Sequence, residues 1–279
     1  MKVLVTGAGG QVGRELVAAL APHEVIACNH ADLDAGDRDS TMSAITAARP
    51  DAIVHCASWT NVDGCEDDPD HAFRDNALAN RNVMEAARRV GAYVVALSTD
   101  YVFDGESDVP YHEWDTPNPR SVYGASKLAG EFEIDPDCAV VRTSWVCGEH
   151  GSNAVKTILR LAQQKGNMRF VTDQRGSPTI VSDLVVALRS FVVDRLPGTW
   201  HVTNQGALTW YEFARVVLTS AGDDPGRVEP IKTAEMDPPR AATRPANSEL
   251  ENRALRLAGR PLLPDYRESL DRLVRRLLA

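Results

Sequence analysis

Through the first half of the chain, short apolar runs alternate with stretches of helical periodicity. Val3-Leu4-Val5 reads as a buried strand, followed by a glycine-rich turn and a helix from about Gln11 to Leu20. Val25-Ile26-Ala27-Cys28 reads as a second strand, 42–48 as a helix, and 52–56 as a third strand. A long helix is predicted over 70–90 and ends at Gly91, because glycine suits the left-handed residue just past a helix. Runs at 93–97 and 139–141 supply two more strands. Near-continuous apolar strands separated by helices imply an α/β fold with a doubly wound parallel sheet, covered on both faces.

After about Gly148 the pattern is less regular. Helices are expected at 153–165, 180–193, 209–221, 248–258 and 265–278, with short strands near 169–172 and 199–203. The proline-rich stretch 237–245 reads as an extended surface loop. These features suggest a nucleotide-binding domain over 1–148 and a smaller mixed α/β substrate lobe over 149–279, with segments free to interleave.

The formal charge of −9 argues against nucleic acid or an anionic membrane as partner, and no apolar stretch approaches the roughly 20 residues that span a bilayer. Five scattered cysteines without a C-x-x-C pair fit a reducing cytoplasm, and Met1-Lys2 leads straight into a strand with no room for a secretory signal. The seven histidines show no metal spacing, and no metal is expected.

Gly7-Ala8-Gly9-Gly10-Gln11-Val12-Gly13 lies between the first strand and the first helix. A Rossmann-type pyrophosphate turn belongs there, because residues without Cβ let backbone N–H groups approach phosphates. The spacing that fits is G-x-x-G-x-x-G, on Gly7, Gly10 and Gly13. The end of the second strand, Asn29 to Leu33, carries neither a carboxylate nor an arginine directly after the strand. The choice between NADPH and NADH therefore stays open, and Asp32 either contacts adenine or caps a turn.

Ser98-Thr99-Asp100-Tyr101 follows the fourth strand, at the carboxyl edge where ligands bind in such folds. Tyr123 and Lys127 share one helix face four residues apart. A phenol with pKa of about 10 is a poor acid at neutral pH, and a nearby ammonium is expected to lower it. Alone, a Y-x-x-x-K pair is most simply a surface helix pair; joined to the glycine turn and the Ser-Thr-Asp edge, it reads as catalytic.

These elements together resemble the extended short-chain dehydrogenase/reductase family. Segments 97–105, 121–131, 141–146, 173–179 and 244–248 look like its dTDP-4-dehydrorhamnose reductase branch. The resemblance implies NAD(P)H-dependent reduction of a dTDP-linked 4-keto-deoxysugar by a monomer or homodimer. By position, Thr99, Tyr123 and Lys127 match the catalytic residues. Gly10, Gln11 and Val12 match the phosphate turn, and Asn29, Asp32 and Leu33 the adenosine end. Ala57, Ser58 and Trp59 match the segment beside the nicotinamide ribose. Val62, Thr99, Asp100, Tyr101, Tyr123 and Trp145 match the sugar-contacting positions. Trp59 and Asn61 depart from the residues usual in the family. Glu15 matches one of several carboxylates that hold magnesium in some relatives, without its companions.

Two rival readings stand beside this one. A nucleotide-sugar dehydratase or epimerase on the same fold would need an Asp-Glu pair after the threonine for dehydration, and Tyr101 occupies the second position. A binding-only subunit would have no need of the intact Thr99, Tyr123 and Lys127 set. Some residues also have purely structural readings: Trp145 as core, Gln174 and Arg175 as a tight loop, and Arg142 as an ion pair.

Overall fold

The computed structural model describes residues 1–164 and 166–279. Six strands form a parallel sheet: β1 (Lys2–Thr6), β2 (Glu24–Cys28), β3 (Ala52–His55), β4 (Tyr93–Thr99), β5 (Ala139–Thr143) and a sixth from beyond residue 148. That sixth strand, Gly198–His201, pairs with β5 in parallel register, so the chain returns to the sheet after its excursion. The order from one edge is β2, β1, β3, β4, β5, then Gly198–His201. The direction of winding reverses between β1 and β3, which opens a crevice at their carboxyl ends.

Helices α1 (Gln11–Ala19), α2 (Arg38–Ala48), α3 (Val62–Asp67), α4 (Pro69–Phe73), α5 (Ala79–Val90) and α6 (Val122–Glu131) occupy the first half. The helix expected at 42–48 starts four residues earlier, because the Asp37 side chain accepts from the Ser40 N–H and caps it. The single helix expected over 70–90 is broken by a π turn at Arg74–Leu78, which separates α4 from α5. Gly91 ends α5 in the left-handed conformation, φ 74°, as expected.

Beyond residue 148 come α7 (Ala154–Ala162), α8 (Val181–Asp194), α9 (Trp210–Ala221), α10 (Arg253–Leu257) and α11 (Tyr266–Leu278). The last residue of the helix expected at 153–165, Lys165, lies outside the described residues. The helix expected at 248–258 is cut to 253–257. Residues 249–251 run extended instead, with Tyr111 donating to the Glu249 carbonyl and Glu251 donating to that of Tyr111. Periodicity could not reveal that pairing, since its partner lies well over a hundred residues away.

Two cores result. Leu4, Ile53, Val94 and Val141 in the sheet, with Leu16 of α1 and Leu184, Leu188 and Phe191 of α8, form the larger one. Each such buried side chain stabilises by roughly 1.5–3 kcal/mol before entropy is counted. A second core gathers Ile158, Phe213, Val217, Tyr266 and Leu270 from α7, α9 and α11. The two-stranded pairs Met168–Val171 with Val228–Ile231 and Arg175–Gly176 with Leu208–Thr209 flank it. Among the described residues no helix is long and apolar enough to cross a membrane.

Candidate active site

The glycine turn sits in the crevice between β1 and β3. Gly7 has φ +63°, and a Cβ there would stand 2.7 Å from the Ala57 backbone nitrogen. Only glycine lets the two strand ends approach this closely. Gly10 opens α1 as its N-cap, leaving the N–H groups of the first turn free to face an anion. The side chain of Gln11 is used elsewhere: its amide donates to the Val146 carbonyl and its oxygen accepts from Gly148 and Asn153. At this turn Gln11 can therefore offer only backbone, and Val12 packs into the core.

A cleft of ≈ 200 Å³ runs from this turn past the end of β2, lined by Gly7, Leu33, Asp34, Gly36, Ala57 and Ser58 among others. Of the expected adenosine-end residues, Leu33 lines it, whereas the Asp32 carboxylate caps a turn by accepting from the Asn29 N–H at 2.9 Å. The fit to a dinucleotide is direct: a cradle that a Cβ would fill, a helix N-terminus, and a cleft beside it.

Lys127 reaches this cleft through Ser58, one of its lining residues. Its Nζ donates to the Leu97 carbonyl at 2.8 Å and to the Ser58 hydroxyl at 3.3 Å. One turn earlier on α6, Tyr123 is buried with its hydroxyl near that of Thr99. The helix can lie this close because Gly124 has no side chain; a Cβ there would come within 2.1 Å of the Tyr101 carbonyl oxygen. Ser121 caps the helix, and Glu66 of α3 accepts from the Val122 N–H at 2.8 Å.

Burial raises the Tyr123 phenol above its ordinary value, opposed by the bond to Thr99 and reinforced by Asp100 and Tyr101. The expected lowering by Lys127 is overridden, since that ammonium is directed at Leu97 and Ser58. Burial brings Lys127 down to about 8, and the Glu131 carboxylate opposes the shift. Asp100 is pushed up to about 6 by burial, opposed by the nearby Ser248 hydroxyl and the bond from Thr99. The cluster thus holds a protonated phenol, an ammonium that can lose its proton near neutrality, and a carboxyl group that titrates just below it.

A family model described as RmlD substrate binding domain matches residues 1–279. The dTDP-4-dehydrorhamnose reductase of Sinorhizobium fredii is 39% identical, covering 100% of this chain and 98% of its own. The chain belongs to the dTDP-4-dehydrorhamnose reductase family. A solved dTDP-4-dehydrorhamnose reductase from Bacillus anthracis, in complex with NADP, superposes with a TM-score of 0.94 at 38% identity, covering 99% of each chain. A further relative, the dTDP-4-keto-6-deoxy-D-glucose reductase of Streptomyces niveus, is 39% identical over 82% of this chain and 81% of its own.

Against this reductase frame, Trp59, Val62, Tyr101 and Tyr123 form one small apolar cluster with Cys65 and Ala72. Tyr101 meets Tyr123 edge to face at 5.5 Å, and Trp59 stacks on His71 at 4.0 Å. Trp145 is not part of that cluster. It stacks on Trp210 at 3.5 Å, packs on the second core, and has φ 44°. Gln174 bonds Thr233, Arg175 pairs with Glu249, and Arg142 forms a buried pair with Glu131, each in keeping with its structural reading.

Two side chains at the reductase site escaped the sequence reading. Asn76, in the π turn, accepts from the Trp59 N–H at 2.8 Å and from Ser58 at 2.7 Å. It also donates to the Trp59 carbonyl and to Ser126, so one amide fixes the loop beside Lys127. Its only signal was a polar residue in a predicted helix. Arg244 comes from the proline-rich loop and binds Asp63 of α3. Nothing local in the sequence marks that pairing.

Proposed function

We propose that this protein reduces the 4-keto group of dTDP-4-dehydro-L-rhamnose to dTDP-L-rhamnose, using NADPH or NADH. The observation that carries the reading is the buried Tyr123 hydroxyl near Thr99, with Lys127 one helical turn away and bonded to Ser58 in the lining of the glycine-turn cleft. Full-length similarity to named reductases supports it.

A bound reduced nicotinamide supplies the hydride that the carbonyl carbon accepts. Gly7, Gly10 and Gly13 admit the dinucleotide phosphates to the N–H groups of α1, and Leu33, Ala57 and Ser58 line its path. Tyr123 gives its phenolic proton to the carbonyl oxygen as negative charge develops there. The raised pKa keeps that proton in place until the oxygen becomes basic enough to take it. Thr99 orients the oxygen toward Tyr123, and Lys127 holds the ribose side through the position it shares with Ser58. Val62, Tyr101 and Trp59 bound the sugar pocket, and Asp100 presents a buried acceptor to a sugar hydroxyl. In this reading residues 1–148 mainly carry the cofactor and 149–279 mainly the sugar nucleotide.

A second reading changes only the sugar. The relative from Streptomyces niveus matches the rhamnose-type enzyme of Sinorhizobium fredii in identity, over a shorter stretch, and is named for another dTDP-4-keto-6-deoxysugar. Purified protein with dTDP-4-dehydro-L-rhamnose should consume NADPH or NADH and yield dTDP-L-rhamnose. Turnover only with a different dTDP-4-keto sugar would favour the second reading, and none with any keto-sugar nucleotide would sink both. A cytoplasmic monomer or homodimer completes the proposal, supported by five unpaired cysteines.

A further inference from the structure

Behind the catalytic groups lies a buried cluster that the reduction as described does not use. Glu131 is the last residue of α6, one turn past Lys127, and its side chain is 8% exposed. Its carboxylate accepts from the Ser98 hydroxyl at 2.5 Å and from Arg142 at 2.9 Å and 2.7 Å. Ser98 stands on β4 between Leu97, whose carbonyl anchors Lys127, and Thr99, whose hydroxyl meets Tyr123. Arg142 faces Ser98 in register across β4 and β5 and lies over the Phe103 ring. One carboxylate therefore grips the strand residue that sits between two catalytic anchors.

We infer that Glu131 is a positioning residue for the reduction: it holds the end of β4 in place and keeps Lys127 charged. The inference rests on the proposed reduction only for its catalytic consequence.

Two buried cations, Lys127 and Arg142, have Glu131 as the carboxylate set between them; the other buried carboxyl of the cluster, Asp100, sits on the far side of Thr99 and is bonded to its hydroxyl. His55 and Cys56, from the end of β3, are the other titratable groups near Lys127. Both are neutral at pH 7, because burial lowers the imidazole and raises the thiol. Without Glu131, two cations would remain in a low-dielectric site. Arginine does not give up its proton in proteins, so Lys127 would do so. Stability alone does not require an ion pair here, since neutral side chains of similar volume usually replace buried pairs without loss.

The chain has five lysines, so the ε-carbon signals of ¹³C-lysine-labelled protein are few enough to follow. Lys127 is assigned by its loss in Lys127→Met. In Glu131→Gln its titration midpoint should fall by about 1 pH unit or more. Turnover should drop about twofold at pH 7 and about five- to tenfold between pH 8 and 9, and recover as the pH is lowered. A Glu131→Gln/Arg142→Gln protein restores a neutral cluster and covers the case in which the single variant does not fold. Its Lys127 midpoint should recover toward the wild-type value. An unchanged midpoint in Glu131→Gln, or a midpoint in the double variant no higher than in Glu131→Gln, would overturn the inference. Wild-type protein inactive on every keto-sugar nucleotide would instead defeat the proposed reduction, while the titration would still decide the Glu131–Lys127 coupling.

Discussion

The Thr6 hydroxyl lies 2.7 Å from Nδ1 of His55, sealed between the ends of β1 and β3. Thr6 also accepts from the Ala57 N–H, and the imidazole it meets is held neutral. Burial, with Lys127 nearby, takes His55 down to about 3, and burial with Arg142 nearby does the same to His201.

This sets an acid limit on stability. Both histidines bind protons near 6.5 once unfolded, so their stabilising effect is complete above that pH and is lost as pH falls toward 3. Asp100 acts oppositely. Raised to about 6 from 3.8, it stabilises the fold below 3.8 and loses that effect as pH rises through 6. Across the shared window the unfolded chain gains two protons and the native state one. Stability contributed by these three groups should fall on acidification by up to about 1.4 kcal/mol per pH unit. Urea midpoints measured at pH 7, 6 and 5 test this; midpoints that rise toward acid would contradict the burial of the two imidazoles.

Tyr123→Phe removes the proton donor but keeps the ring that packs on Tyr101. kcat should fall by about 10²–10⁴-fold while the cofactor dissociation constant stays within about threefold. Thr99→Val should lower kcat less, since it removes only orientation. Single-turnover rates with each variant decide between these outcomes and a purely structural role.

Gly13→Ala introduces a Cβ 2.3 Å from the Gly7 carbonyl oxygen and 2.7 Å from the Ala8 Cα, both rigid backbone. The turn must shift, at a cost of about 1–3 kcal/mol in stability. Cofactor affinity should weaken at least about tenfold. Thermal melts with and without NADPH read both effects, and a variant that keeps normal stabilisation by NADPH would show that the phosphates bind elsewhere.

Arg244 clamps the proline-rich loop to Asp63, and its bond holds that carboxyl at about 2. Asp63 is 38% exposed, so solvent screening limits the pair to about 0.5–1 kcal/mol of stability. Arg244→Gln should therefore leave the melting temperature almost unchanged. Because the loop packs beside Tyr101, it should raise KM for the sugar nucleotide by about threefold or more. An unchanged KM would mean that the clamp lies outside the substrate path.

Much of this protein can be read locally. The runs at 3–5, 52–56 and 93–97 are strands because all their residues but His55 are apolar, which suits a sheet covered on both faces. The spacing of Gly7, Gly10 and Gly13 marks a phosphate turn because Cβ atoms would block it. Tyr123 and Lys127 share a face because of the helical repeat. Each of these depends on neighbours within a few residues.

Other features depend on contacts between distant parts of the chain, and only the tertiary structure decided them. Gly198–His201 joins the main sheet because an open edge of β5 needs hydrogen bonds, yet no local pattern tells a strand which edge it will meet. The predicted helix at 248–252 is extended because Tyr111 offers its N–H and carbonyl to that backbone. Trp145 found Trp210, Asn76 found the Trp59 loop, and Arg244 found Asp63. Residue type and periodicity specify what a segment must bury. Which partner buries it is settled when the whole chain competes for the same surfaces.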